Sequence, residues 1–245
     1  MKAMILLLTL MPSVTWAQNC TVESDNILAR FESTTTLNMK SAKKTKRQNF
    51  EFIRQSERTI LYRYPDSQTS NLWYLQSNGF VKNVHYFDEF KHAIEYHRGD
   101  MSKSTRTDWS GMYQLVSQKF IDSLENKEKI NACDTRYYQE KEGEKWSVTW
   151  SNKYNLPLAI EHTKGEKTMH LKLLEVKQDK EQVAKIYKEL NTYQSTDFAD
   201  IGDNESDPFI RKMIRLGFVD HGASGFYDSN GNALEGQGHS EHRHK

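Results

Sequence analysis

The sequence predicts an α+β protein: a curved antiparallel β-sheet, forming an open half-barrel, with helices packed on one face and a short helical or irregular C-terminal extension. Three observations carry this. Two aromatic-rich runs within residues 71–97 flank Asn78-Gly79, a pair that tolerates the positive φ of a type I′ hairpin turn. Other runs alternate polar and apolar residues with period two, most cleanly Trp146, Val148 and Trp150 against Ser147, Thr149 and Ser151. Two longer stretches in the body, 105–124 and 179–190, change to helical spacing. A long, half-polar sheet curls into an open barrel or packs a helix on its concave side.

The chain opens with Lys2, an apolar run over 3–11, Pro12 and the small-residue site Thr15-Trp16-Ala17. That order reads as a secretory signal peptide cleaved near Ala17, with export to the periplasm or beyond. The run is too short for a membrane-spanning helix, and no later run is long enough. Cys20 lacks the small residues before it that a lipid-attachment site needs. Cys20 and Cys133 are the two cysteines of the chain. In an oxidising compartment they are expected to form one disulfide; a metal site on two cysteines without a nearby histidine pattern is the weaker reading.

The mature region is taken in order. Ile27, Leu28 and Phe31 sit at helical spacing before the β-branched Thr34–Thr36, so a short helix passing into a strand is expected. Strands follow at 49–53 and 59–64, then the meander at 71–97. Trp109, Met112, Tyr113, Val116, Phe120 and Leu124 form one amphipathic stripe, with Thr107 or Asp108 as N-cap. Residues 125–129 read as polar loop. Strands resume at 134–140 and 146–150, and a hairpin about Lys164-Gly165-Glu166 follows. Asp179 caps a helix whose stripe is Val183, Ile186, Tyr187 and Leu190. Ser206 or Asp207 with Pro208 starts a last short helix. The organisation is then a signal peptide at 1–17, a sheet domain at 18–195, an acidic-loop, helix and turn extension at 196–234, and a histidine-containing tail at 235–245 without fixed structure.

The formal charge is +1, and removing Lys2 brings it to about zero, so nothing argues for nucleic acid. The basic run 40–47 reads first as a solvated hairpin loop, with contact to anionic lipid headgroups as the lesser option. Hydrolase motifs are missing: no Gly-x-Ser-x-Gly, no His-Glu-x-x-His and no phosphate loop. Ser224 is flanked by glycines that a tight turn explains equally well.

Three site readings remain. The strand aromatics Trp73, Phe80, Tyr86, Trp146 and Trp150 are candidates to line an apolar cavity under a helical lid, although core filling explains most strand aromatics. Asp200, Asp203 and Glu205, with His221, are candidate ligands for a metal ion, without the spacing of a calcium loop. His239, His242 and His244 could hold Zn²⁺, Cu²⁺ or Ni²⁺ weakly. No other cofactor is implied.

The order of a signal peptide, an N-terminal helix, a meander containing Asn71-Leu72-Trp73-Tyr74, a mid-chain helix and a second meander resembles the periplasmic outer-membrane lipoprotein carriers of the LolA/LolB type and the related sigma-factor regulatory sensor domain. The resemblance covers residues 27–176. It implies an incomplete barrel with a helical lid that binds acyl chains or lipidated partners; residues 196–245 lie outside it. The expected function is a non-enzymatic carrier for an apolar or lipidated ligand, or for another envelope protein. The alternative is a metal-handling accessory protein, and a hydrolase ranks third.

Overall fold

A computed structural model of the chain describes residues 20, 24–39, 42–97, 99–100, 109–203 and 207–215. Its strands are β1 (Ile27–Met39), β2 (Ala42–Ser56), β3 (Thr59–Tyr64), β4 (Thr69–Leu75), β5 (Val81–Phe87), β6 (His92–Tyr96), β7 (Asn126–Lys129), β8 (Asp134–Lys141), β9 (Glu144–Ser151), β10 (Leu156–Lys164), β11 (Lys167–Gln178) and β12 (Gln194–Asp197). They form one curved, unclosed sheet in the order β12-β6-β5-β4-β3-β2-β1-β11-β10-β9-β8-β7. Two meanders, β1–β6 and β7–β11, meet where β11 pairs with β1. Every pairing is antiparallel except that of β12 with β6. The open α+β sheet that the alternation predicts is therefore the fold.

Among the described residues four α-helices accompany it: α1 (Trp109–Gln114), α2 (Gln118–Ser123), α3 (Lys180–Leu190) and α4 (Pro208–Arg215). Residues paired across neighbouring strands share a face, so the register sorts the side chains. One face carries the row Ile27, Arg54, Ile60 and Trp73, and beside it Ala29, Phe52 and Tyr62. Helices α1 and α4 cover this face, and α2 covers its continuation over Val148 and Trp150. It is called the lid face below. The opposite face buries Leu28, Ile53, Leu61, Leu72, Val84 and Tyr86 under Val183, Tyr187 and Leu190 of α3. So α3 departs from the expectation that all helices share one face. The reason is legible in the burial: adjacent residues such as Ile27-Leu28, Phe52-Ile53, Ile60-Leu61 and Leu72-Trp73 are all buried. A sheet segment apolar on both sides needs a cover on both sides.

Other local expectations change for physical reasons. Residues 27–31 are strand, not helix, because β1 is paired along its length with β2 on one side and β11 on the other, and that pairing overrides a short helical period. The single helix expected over 105–124 is two. Leu115 takes φ 66°, and Ser117 then caps α2 by accepting from the Phe120 amide. Thr107 and Asp108 lie outside the described residues. In the β4–β5 turn only Gly79 has positive φ, at 79°. Gly79 N–H donates to the Gln76 carbonyl at 3.0 Å and Gln76 N–H to that of Phe80 at 2.7 Å, so a tight turn closed by a glycine bulge replaces the type I′ turn. Residues 126–129 form the edge strand β7, whose charged sequence suits an unpaired edge.

The caps expected for the last two helices are found at Asp179 and Asp207. Asp179 accepts from the Gln182 amide at 2.8 Å, and Asp207 from the Phe209 amide at 2.7 Å. The start of the expected extension belongs to the sheet: β12 pairs with β6, and Ile201, Phe209, Ile210 and Met213 lie in the lid-face core. Cys20 and Cys133 are bonded, 113 residues apart, which ties the N-terminal segment to the turn before β8.

Candidate functional site

The lid face is apolar except for a few buried polar groups. Arg54 is 0% exposed in a row between Ile27 and Ile60, both also fully buried. Its position follows from alternation in β2: Phe50, Phe52 and Arg54 point to one side, Ile53 to the other. The guanidinium donates from Nη2 to the carbonyl of Tyr154 in the β9–β10 turn. Its carbon lies 4.5 Å from the ring centre of Tyr113 on α1 and 5.7 Å from that of Phe52. Nε and Nη1 are buried without a hydrogen-bond partner among the described residues. Burial pushes the Arg54 pKa below the usual arginine value, an effect partly offset by Tyr113. An arginine nonetheless stays charged in proteins.

The other polar groups stand further across the same face. Tyr62, Asn71, His85 and Ile94 form one cross-strand row. Asn71 and His85 are 5% exposed. Burial holds the His85 pKa down to about 4, so its ring is neutral at pH 7 and stacks on Phe87 with centres 4.5 Å apart. Burial raises the Tyr62 pKa, and its neutral hydroxyl donates to the Met112 carbonyl of α1 at 2.8 Å.

Helix α1 is therefore held by a set of polar contacts rather than by packing alone. Trp109 Nε1 donates to the Glu57 carbonyl at 2.9 Å, Tyr62 to Met112, and Gln114 Nε2 to Asn155 Oδ1 at 3.0 Å, while Tyr113 covers Arg54. Helices α1 and α2 have six residues each, far below the length at which a helix stands alone. They owe their conformation to the sheet beneath. The space between α1 and the sheet is filled by side chains, including Phe52, Ile60, Trp73 and Tyr113. A depression of about 160 Å³ opens between α2 and the edge of β8–β9, against Phe120, Leu124, Glu144 and Trp146. That is below the several hundred Å³ of a typical small-molecule site.

The five cavity candidates are distributed. Trp73 is in the lid-face core under α1, and Trp146 and Trp150 are on the same face under α2. Tyr86 is on the opposite face under α3, and Phe80 is 38% exposed in the β4–β5 turn. Trp73, Trp146 and Trp150 thus lie below helices, while the face of Tyr86 depends on strand register. Of the metal candidates, Asp200 is exposed in the turn after β12. The side chain of Asp203, with Glu205, His221, His239, His242 and His244, lies outside the described residues. Among the described residues no three His, Cys, Asp or Glu side chains converge on a metal-sized space. His97 bonds to Asp197 at 2.8 Å on an exposed strand edge. Arg54 is the residue the sequence reading missed. Its signal was available: a lone cation at the inward position of the apolar run Phe50, Phe52.

The chain matches no protein-family model and no curated protein sequence. Among solved structures it is similar to an outer membrane lipoprotein-sorting protein domain from Vibrio parahaemolyticus, at 12% identity over 69% of this chain and 94% of that one, with a TM-score of 0.31. It is similar to a LolA superfamily protein from Nitrosomonas europaea, at 10% identity over 66% and 90%, with a TM-score of 0.33. PNGF-II is matched at 8% identity and a TM-score of 0.31, over 69% of this chain but 31% of PNGF-II. The first two are of the kind that the order of elements resembles.

Proposed function

We propose that this protein is an exported, non-enzymatic binding or carrier protein that takes an apolar or lipidated ligand between the sheet and its α1–α2 lid. The observation that carries the reading is Arg54. Two buried guanidinium donors without partners cost roughly 1–3 kcal/mol each, so stability alone does not account for an arginine there. Its near neighbours are Tyr113 on the lid, whose ring and hydroxyl both favour the cation, the neutral Tyr154 carbonyl on a neighbouring turn and, more weakly, the Asp25 carboxylate. The Tyr113 contact breaks if α1 lifts, while the Tyr154 carbonyl stays with the β9–β10 turn. The trough then exposed is floored by Phe52, Ile60 and Trp73, with one cation at its centre. That floor suits an acyl chain whose ester, amide or phosphate oxygen accepts from Arg54. The Cys20–Cys133 disulfide and the pattern of residues 1–17 support an oxidising compartment outside the cytoplasm.

Gln114 and Asn155 touch, so the Gln114→Cys/Asn155→Cys double variant can lock α1 to the β9–β10 turn. Protein refolded free of lipid is titrated with a dansylated sixteen-carbon fatty acid. Wild type is expected to bind saturably. The oxidised double variant is expected to lose that binding and regain it on reduction, with reduced wild type as the control for Cys20–Cys133. Binding by the locked form equal to wild type would place any ligand elsewhere. No saturable binding by either protein would sink the carrier reading.

A further inference from the structure

We propose that the distal end of the β1–β2 hairpin, with the β10–β11 turn beside it, docks on an anionic lipid bilayer. This goes beyond the carrier reading and does not depend on how the lid works. Beyond Phe31, the last buried residue of β1, the strand continues for eight residues to Met39, about 25 Å at the usual rise of a strand. Among the described residues no helix covers its far end. Leu37 and Met39 are 39% and 48% exposed, unusual for large apolar residues on an otherwise polar arm.

The register explains what surrounds them. Leu37 is paired with Lys44 of β2 on one side and Lys167 of β11 on the other, and Lys167 with Lys164 of β10. These four residues form one row on the lid side of the sheet. The next row inward is Lys46, Thr35, Met169 and His162. Four lysines thus frame Leu37, Met39 and Met169. Of the acids nearby, Glu144 is already engaged by Lys164 at 3.3 Å and His162 at 2.7 Å, and Glu166 stands in the β10–β11 turn itself. Lys44, Lys46 and Lys167 make no ion pair among the described residues. The other side of the same strands is different: Arg47 pairs with Glu32 at 3.4 Å and His170 lies 3.8 Å from Glu161. That side also carries Lys43 and Lys172 without an ion pair among the described residues, but the excess of lysine over acid is larger on the lid side.

The sequence favoured a solvated loop for this basic run, since a charge count does not show which side of a strand each lysine takes. The structure assigns Lys44, Lys46 and the exposed Leu37 and Met39 to one side, with Lys43 and Arg47 on the other. Long lysine stems let the ammonium groups meet lipid phosphates while Leu37 and Met39 sit deeper, the arrangement by which amphipathic surfaces bind bilayers. The patch also runs inward along Leu171 and Leu173 onto the lid face, so a docked arm would bring that face to the bilayer.

The test is sedimentation of the full mature chain with vesicles of phosphatidylcholine, with and without about 30% phosphatidylglycerol, an amount chosen to give a negative surface potential. Binding is expected on the anionic vesicles alone, weakening with salt. Lys44→Gln/Lys46→Gln/Lys167→Gln should cut the partition coefficient about 100-fold, at roughly fivefold per lysine near the surface. Lys172→Gln, on the opposite side, should leave it unchanged. As a second readout that needs no loss of binding, Leu37→Cys carrying a polarity-sensitive dye should shift to the blue only with anionic vesicles. No binding to anionic vesicles, equal binding to both vesicle types, or a dye at Leu37 that stays in water while the protein binds would each overturn the proposal. An acidic protein partner captured without vesicle binding is among the overturning results.

Discussion

Arg54→Leu separates a latch from a structural residue. The substitution removes a charge-assisted hydrogen bond to the Tyr154 carbonyl, worth about 1.5–3 kcal/mol, and a desolvated cation–π contact with Tyr113, worth about 2 kcal/mol. It also removes the burial of two unpartnered donors, Nε and Nη1, at roughly 1–3 kcal/mol each, and replaces them with an apolar side chain in an apolar row. The two sets of terms nearly cancel, so global stability should change by no more than about 2 kcal/mol. The lid does not share in the cancellation. Helix α1 loses the Tyr113 contact and gains nothing, so its local opening becomes easier by about 2 kcal/mol, or about 30-fold in amide exchange. Urea unfolding measures the first quantity and hydrogen exchange over residues 109–115 the second. A fall in global stability of 4 kcal/mol or more, with exchange in α1 unchanged, would refute the reasoning, because Arg54 would then be a strut of the core.

Three further outcomes follow from the geometry. Cys20→Ser opens a loop of 113 residues' separation and should lower unfolding free energy by about 4–5 kcal/mol in urea titrations, a difference that vanishes when wild type is measured reduced. Asp179→Ala removes the bond to the Gln182 amide at the start of α3 and should cost about 1 kcal/mol, seen with a loss of helical circular dichroism. His85 has a folded pKa of about 4 against 6.5 unfolded, so the unfolded chain takes up its proton first as pH falls. Stability from this group is complete above pH 6.5 and declines towards pH 4, by about 2 kcal/mol at pH 5; His85→Gln should flatten that slope in unfolding measured at pH 7 and pH 5, and an identical slope would show that His85 is not the proton acceptor.

The lid and the arm are two uses of the same sheet side. Near α1 the side is apolar, closed and centred on one buried cation; at the distal hairpin it is exposed and lysine-rich. A carrier needs both a place to hold an apolar ligand and a way to reach the surface that supplies or receives it. The two tests are separable: a locked α1 leaves the arm free to bind vesicles, and the lysine variants leave the trough intact.

Local pattern determined much of this protein. Period-two alternation placed β8 to β11, the Asn78-Gly79 signal placed the β4–β5 hairpin, and Asp179 and Asp207 marked the starts of α3 and α4, since each depends on neighbours within a few residues. The pairing of Cys20 with Cys133 followed from a cysteine count of two in a chain with an export pattern. Contacts between distant residues decided the rest. Residues 27–31 carry a helical period yet lie between β2 and β11, and residues 194–197 show no strand pattern yet complete the sheet beside β6. The face taken by each side chain, Arg54 inward beneath Tyr113, Tyr86 on the side away from Trp73, and Lys44 and Lys167 on either side of Leu37, depends on register, and register is set by partners as far apart in the chain as Ile27 and Gln178. Alternation tells which residues of a strand share a side; only pairing tells which side of the sheet that is.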